Sequence, residues 1–280
     1  MNSFTADWLA LREPTDKISR NALVLAACEN AFRRFHHISV CDAGAGTGAS
    51  VRAFSNFLPK KQTWTLVDAD LANLHKSLAL LSARGDVISK SETECSVRLN
   101  EKIISTRILK RDLSETIEVW PDETQLITAS AVFDLVSTPW VSEFIKILRR
   151  RNTSLLATLT FNGKMNAEPH HDLDEAMFNA FRAHQRTDKG FGAAAGPDAV
   201  SLLRDGLIEA GFTVAEGESP WILGNDNRAL MEETLKGIAF AAMEIGHVEK
   251  RDADAWLNDR LRGTQQFIVG HTDIFAERTL

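Results

Sequence analysis

The 280-residue chain contains no tyrosine, an absence for which its chemistry gives no reason. Its three cysteines, Cys28, Cys41 and Cys95, are scattered, and no two form a C-x-x-C pair. Neither a zinc site nor a disulfide framework is suggested, and a reducing cytoplasm fits best. No apolar run approaches the roughly 18 residues that a membrane helix needs. The first stretch carries Asp7 and Glu13 and lacks the apolar core of a signal peptide, so a cytoplasmic protein away from membranes is expected. Basic residues are not in excess: 32 Lys+Arg stand against 38 Asp+Glu, with formal net charge −6 and pI about 5.8. Nucleic acid, which needs a basic face, is therefore not the expected partner. Internal repeats and low-complexity tracts are missing too, and no spacing of histidines or carboxylates compels a metal.

What remains is an ordinary globular composition, 44% hydrophobic and 25% charged, long enough for one large domain. The chain is organised around residues 40–48. Ile38, Val40 and Cys41 read as a short strand, and Asp42-Ala43-Gly44-Ala45-Gly46-Thr47-Gly48 follows as a glycine turn into a helix. Three glycines in one turn permit positive φ and a close approach of backbone to ligand. The N–H groups at the next helix start are expected to hold an anionic or polar group, so the loop reads as the cradle of a nucleotide-like cofactor.

Residues 18–35 show one apolar helical face through Leu25, Cys28, Phe32 and Phe35. Arg20 at its start is either a solvated charge or a guanidinium that reaches a cofactor carboxylate. Residues 49–58 read as a helix, and residues 64–67 as a second strand ending in Asp68-Ala69-Asp70. An acid there, about 20 residues beyond the glycines, suits a ribose, while Asp70 suits the cap of the helix that follows. Residues 94–110 read as one or two strands closing in Arg111-Asp112-Leu113, where an acid can accept from an adenine amino group and its neighbour can pack on the ring. Residues 126–131 form a fourth strand turning into small residues, Ser130 among them. Thr138-Pro139 reads as a helix cap and first turn, and residues 154–160 as a strand buried on both faces. Residues 161–196 break the rhythm. They hold Asn162-Gly163, a helix near 174–187 and a glycine-flanked run at 188–192, which together read as a lid. Later segments read as helices at 226–245 and 252–262, with a last strand bent at Gly270. Strand and helix alternate through five units, which implies a doubly wound, mostly parallel sheet with its ligand at the carboxyl ends of the strands.

On these residues the chain resembles the class I S-adenosylmethionine-dependent methyltransferases. Residues 42–48 resemble that family's first motif and residues 64–70 its second. Arg111-Asp112-Leu113 resembles its adenine-binding segment, and residues 126–134 its fourth strand. The resemblance implies a Rossmann-like α/β fold with a seven-stranded sheet whose last strand is antiparallel. It implies one domain over 1–280, with an N-terminal helical segment over 1–36 and the lid over 161–196. It implies S-adenosyl-L-methionine as cofactor, held by Asp42, Gly44, Ala45, Gly46 and Gly48 at the methionine end. Asp68 and Ala69 would take the ribose, Asp112 and Leu113 the adenine, with Ser130 beside them and Arg20 at the carboxylate. Two departures stand out: Gln125 occupies a place where many relatives carry an acid, and Ser137-Thr138-Pro139-Trp140 only partly matches the motif of enzymes that methylate base amines.

Methyl transfer needs two reactants held in line, water excluded and, for some acceptors, a base. Asp134 after the fourth strand and His184 in the lid are the catalytic candidates, against plain roles as a cap and a surface histidine. The expectation is a transferase acting on a small-molecule acceptor, as monomer or homodimer. The alternatives are an NAD(P)-dependent oxidoreductase, since Gly44-x-Gly46-x-x-Ala49 also fits a dinucleotide pattern, and a non-catalytic S-adenosylmethionine-binding protein.

Overall fold

The computed structural model describes residues 4–278. Two helices come first, α1 (Ala6–Ser19) and α2 (Ala22–Phe32), and Arg20 caps the first of them. The helix expected over 18–35 is α2, shorter at both ends: Asn21 starts it by accepting from the N–H groups of Leu23 and Val24. Strand β1 (His37–Ala43) follows. Val40 and Cys41 face different core clusters, so the strand is buried on both sides, as a central parallel strand must be. Helix α3 (Ala49–Phe54), strand β2 (Lys61–Asp68) and helix α4 (Leu71–Ser82) complete the next unit. Asp70 caps α4 through Ala72 N (2.8 Å) and Asn73 N (3.2 Å), the role its position suggests.

A hairpin precedes the third parallel strand. Strands β3 (Asp86–Lys90) and β4 (Glu94–Leu99) run antiparallel to each other, and β4 runs antiparallel to β5 (Lys102–Lys110). The chain then crosses to β6 (Leu126–Ser130), α5 (Thr138–Arg151) and β7 (Ser154–Glu168). Ser137, not Thr138, is the cap of α5, and Pro139 lies in its first turn, where a missing N–H costs nothing.

β7 is more than twice the expected length. Phe161, Met165 and Ala167 continue the period of a strand, and pairing with the last strand runs to Glu168. Helices α6 (Asp174–His184) and α7 (Ala199–Glu209) follow, then strands β8 (Phe212–Glu218) and β9 (Trp221–Leu223). Helices α8 (Arg228–Glu244) and α9 (Lys250–Gly263) lead to β10 (Gln266–Arg278).

The strands form one sheet in the order β3-β4-β5-β2-β1-β6-β7-β10-β8, with β9 beside β10. It has ten strands where seven are expected. The seven are present as β5-β2-β1-β6-β7-β10-β8, with β10 antiparallel to both neighbours. The extra three are the edge hairpin and β9. One core cluster lies under α5 and α7 and a second under α2, α3 and α4. A third joins α6, α8 and α9 to the far ends of β7 and β10. There buried Asp174 ion-pairs with Arg260 and accepts from Trp256 Nε1 (2.8 Å). Helix α8 therefore packs inward on α6 and α9 through Leu230, Met231, Leu235 and Ile238. Among the described residues no helix is long and apolar enough to cross a membrane.

Candidate functional site

The strand order reverses between β1 and β6, and a cavity of about 520 Å³ opens at their carboxyl ends. That is where a parallel sheet leaves its crevice, and the volume suits a small ligand. The glycine loop forms one wall. Gly44 and Gly46 have φ of 70° and 50°, and Cβ atoms there would stand 2.8 Å from Val132 and 2.9 Å from Leu9. Bare backbone is therefore required at both positions.

The loop's own N–H groups are occupied. Gly44 N and Ala45 N both donate to Val67 O (2.9 Å each), and Gly46 N donates to Asp68 Oδ2 (2.8 Å). These three donors face the protein, and helix α3 behind them has six residues.

Asp68 is oriented by two backbone donors, Gly46 N on Oδ2 and Asp70 N on Oδ1 (2.8 Å). Each oxygen keeps a further lone pair. Burial raises the Asp68 carboxyl above its ordinary range, against the pull of those N–H groups. Across the cavity Asp112 Oδ1 accepts from Ser114 N (2.8 Å) and Ser114 Oγ (2.7 Å). These bonds hold its carboxyl below the usual range and leave Oδ2 open. Leu113 is locked beside it, its carbonyl accepting from Trp140 Nε1 (2.9 Å). Ser130, Ala131 and Val132 close the floor, with Ala131 held at φ 54°.

No model of a known protein family and no curated protein sequence matches the chain. Solved structures do. A methyltransferase structure from Bacillus halodurans C-125 superposes with TM-score 0.52 at 14% identity, over 91% of this chain and 99% of that one. The cyclopropane synthase MmaA2 from Mycobacterium tuberculosis gives 0.50 at 10% identity, over 98% and 94%. The seven-strand order with its antiparallel penultimate strand decides the matter. This is the class I methyltransferase fold.

Within the methyltransferase fold, seven of the predicted cofactor residues line the cavity: Gly44, Gly46, Asp68, Ala69, Asp112, Leu113 and Ser130. Ala45 and Gly48 shape the loop from behind; Gly48 at φ 77° passes against Ser77. Asp42 and Arg20 also stand behind the wall. Asp42 Oδ1 accepts from Thr128 Oγ1 (2.6 Å), while Oδ2 has no partner. Burial raises its carboxyl to about 6, against the pull of Thr128 and of Arg20. Arg20 is not the solvated charge of one reading. It is buried over the Phe54 ring, 5.1 Å from the centroid, with Nε and Nη2 unpartnered.

Neither catalytic candidate lines the cavity, though they lie differently. Asp134 is buried between Val132 and Leu135, both of which line the cavity, and its Oδ1 has no partner. His184 is a correction. It ends α6, and its Nε2 contacts Glu244 Oε2 on α8 (2.9 Å), with the ring outside the cavity wall. The expected lid is redrawn as well. Of residues 161–196, the front part extends β7 and α6 packs on α8; Phe191 is the side chain that reaches the cavity. Ala195 N to Val136 O (2.8 Å) and Gly196 N to Asp134 O (3.0 Å) hold that loop in place.

The remaining cover comes from residues the sequence reading missed: Phe4, Leu9 and Arg12, at and before α1. Pro14 inside that helix suppressed the signal. Thr5, which accepts from Trp8 N (3.2 Å), was the available cue.

Proposed function

We propose that the chain transfers a methyl group from S-adenosylmethionine to a small-molecule acceptor. The observation that carries this is the pairing of a side-chain-free loop at Gly44 and Gly46 with two oriented carboxylates, Asp68 and Asp112, around one cavity. Asp68 has lone pairs left for two ribose hydroxyls. Asp112 Oδ2 suits the amino edge of an adenine, whose face would lie on Leu113. Arg20 Nε and Nη2, and Asp42 Oδ2, are the buried polar atoms left for the carboxylate and ammonium of a methionine, directly or through one water.

When bound, S-adenosylmethionine supplies an electrophilic methyl group on a sulfonium. The protein's part is to hold the acceptor in line and keep water out. Leu9, Arg12 and Phe191 would serve that end, since they close the cavity from above the sheet edge. This cover and the net charge of −6 support a small acceptor over a macromolecule.

A nicotinamide cofactor is disfavoured on two grounds. Its pyrophosphate needs free N–H donors in the glycine loop, and three of them are taken. The dinucleotide fold also keeps a mostly parallel sheet, whereas β10 runs antiparallel between β7 and β8. Calorimetry with S-adenosylhomocysteine and with NADH tests the reading. Binding of the former alone is expected, and binding of NADH alone overturns it. In the same assay Asp68→Ala should weaken S-adenosylhomocysteine by roughly 10- to 100-fold, the worth of two hydrogen bonds to a charged group.

A further inference from the structure

Three buried polar atoms in one neighbourhood lack hydrogen-bond partners: Asp134 Oδ1, His271 Nδ1 and Trp8 Nε1. Trp221 and Phe161 tie them together. The rings of Trp8 and Trp221 lie 6.4 Å apart, those of Trp221 and His271 5.0 Å, and those of His271 and Phe161 6.4 Å. The Phe161 backbone reaches Asp134. Arg12 stands 4.9 Å over the Trp221 ring and itself lines the main cavity, which puts this aromatic cluster one side chain from the cavity. Unpaired buried donors and acceptors cost about 1–3 kcal/mol each and call for a partner.

The charges here do not balance. Asp16, Asp42, Asp134 and Asp273 are all buried, and the buried guanidiniums among them are Arg12 and Arg20. Arg12 is committed to Asp16, with Nε to Oδ2 at 2.8 Å. Asp273 accepts three hydrogen bonds, from Asn21 N, Leu159 N and Ser219 Oγ, and Asp42 accepts one from Thr128. Asp134 is reached by backbone N–H groups alone, with Oδ1 unpartnered and no side-chain donor or counter-ion of its own. A sulfonium would bring one positive charge to this end of the cavity; a second is still needed.

We propose that the methyl acceptor is a small amine, and that Asp134 receives its ammonium group among the Trp8, Trp221 and Phe161 rings. This rests on the methyl-transfer reading. An alcohol would bring no charge to Asp134, and a carboxylic acid would repel it. An ammonium nitrogen has no lone pair, so it must release one proton before it attacks, and Asp134 is the buried acceptor for that proton. The C–N bond then forms as the C–S bond breaks, sulfur keeps the electron pair, and one proton leaves per turnover.

The test uses the full chain loaded with S-adenosylhomocysteine, titrated calorimetrically with matched pairs: butylamine against 1-butanol, and phenethylamine against 2-phenylethanol. At least one amine should bind roughly tenfold or more tightly than its alcohol, about the value of one hydrogen-bonded charge pair. Asp134→Asn should erase the difference and leave S-adenosylhomocysteine affinity within about twofold. No amine preference in a protein that binds S-adenosylhomocysteine overturns the proposal alone, as does a preference that survives in Asp134→Asn. Failure to bind S-adenosylhomocysteine overturns the methyl-transfer reading, and the proposal with it. Should Asp134→Asn lose its fold, the wild-type comparison decides.

Discussion

At Gly46 the backbone sits at φ 50° with Leu9 Cδ1 2.9 Å from where a Cβ would be. Gly46→Ala therefore meets two costs, a left-handed conformation worth about 1–2 kcal/mol and displacement of Leu9. The variant should melt several degrees lower and bind S-adenosylhomocysteine roughly tenfold more weakly. Adding Leu9→Ala should recover part of the loss, which a double-mutant cycle by calorimetry will show. Asp134 behaves differently. Burial raises its carboxyl from 3.8 to about 6, only partly offset by Arg12 and nearby backbone. The folded chain thus holds the proton more tightly than the unfolded one. Stability falls as pH rises between those values, and above them the ionised group costs the fold about 3 kcal/mol. Asp134→Asn is expected to match the wild type near pH 3.5 and to melt higher at pH 8.

At the scale of elements, α1 is a cover pinned at a few points. Glu13 takes Arg52 in a fork, Oε1 to Nε at 2.7 Å and Oε2 to Nη2 at 2.6 Å, while Arg52 Nη1 holds the Thr47 carbonyl of the glycine loop (2.6 Å). One guanidinium thereby joins the cover to the loop it covers. Glu13→Gln should release S-adenosylhomocysteine roughly three- to tenfold faster in stopped-flow measurements, with little change in secondary structure. A second joint lies across β7 and β10. The pairing slips by one residue between Thr272 and Ile274, and Leu159 takes φ 55° there. Asp273 holds the bulge through Leu159 N (2.7 Å), the turn before β9 through Ser219 Oγ (2.7 Å) and the start of α2 through Asn21 N (2.8 Å). Asp273→Ala leaves those buried donors unpaired and should lower unfolding free energy by about 2–4 kcal/mol in urea.

The whole molecule carries a second pH response of opposite sign. His271 is buried in the sheet, and burial first, then Arg12, pushes it from 6.5 to about 3. The unfolded chain takes up this proton and the folded chain does not. Its contribution is complete above about 6.5 and is lost as pH falls toward 3. His271→Gln should flatten the acid side of the melting-temperature profile, while Asp134→Asn flattens the side toward neutrality.

The strand–glycine–helix unit, the acids at residues 68 and 112, the cap at Asp70 and the two-faced burial of residues 154–160 were all legible from residue order. Each depends on neighbours within a few positions. Five βα units in succession also force the carboxyl ends of the strands to one edge, so the site's location followed from local pattern alone. Tertiary structure decided the rest. β3 is exposed along its whole length, so no apolar period announced it. Phe161 to Ala167 became strand because β10 was there to pair with it. His184 was drawn to Glu244, sixty residues away. Trp8, Arg12, Asp134, Trp221 and His271 come from α1, the loop after β6, β9 and β10, and no short-range signal joins them. Their chemistry arises from burial and unpaired charge, properties a side chain acquires only when distant segments shut it away from water.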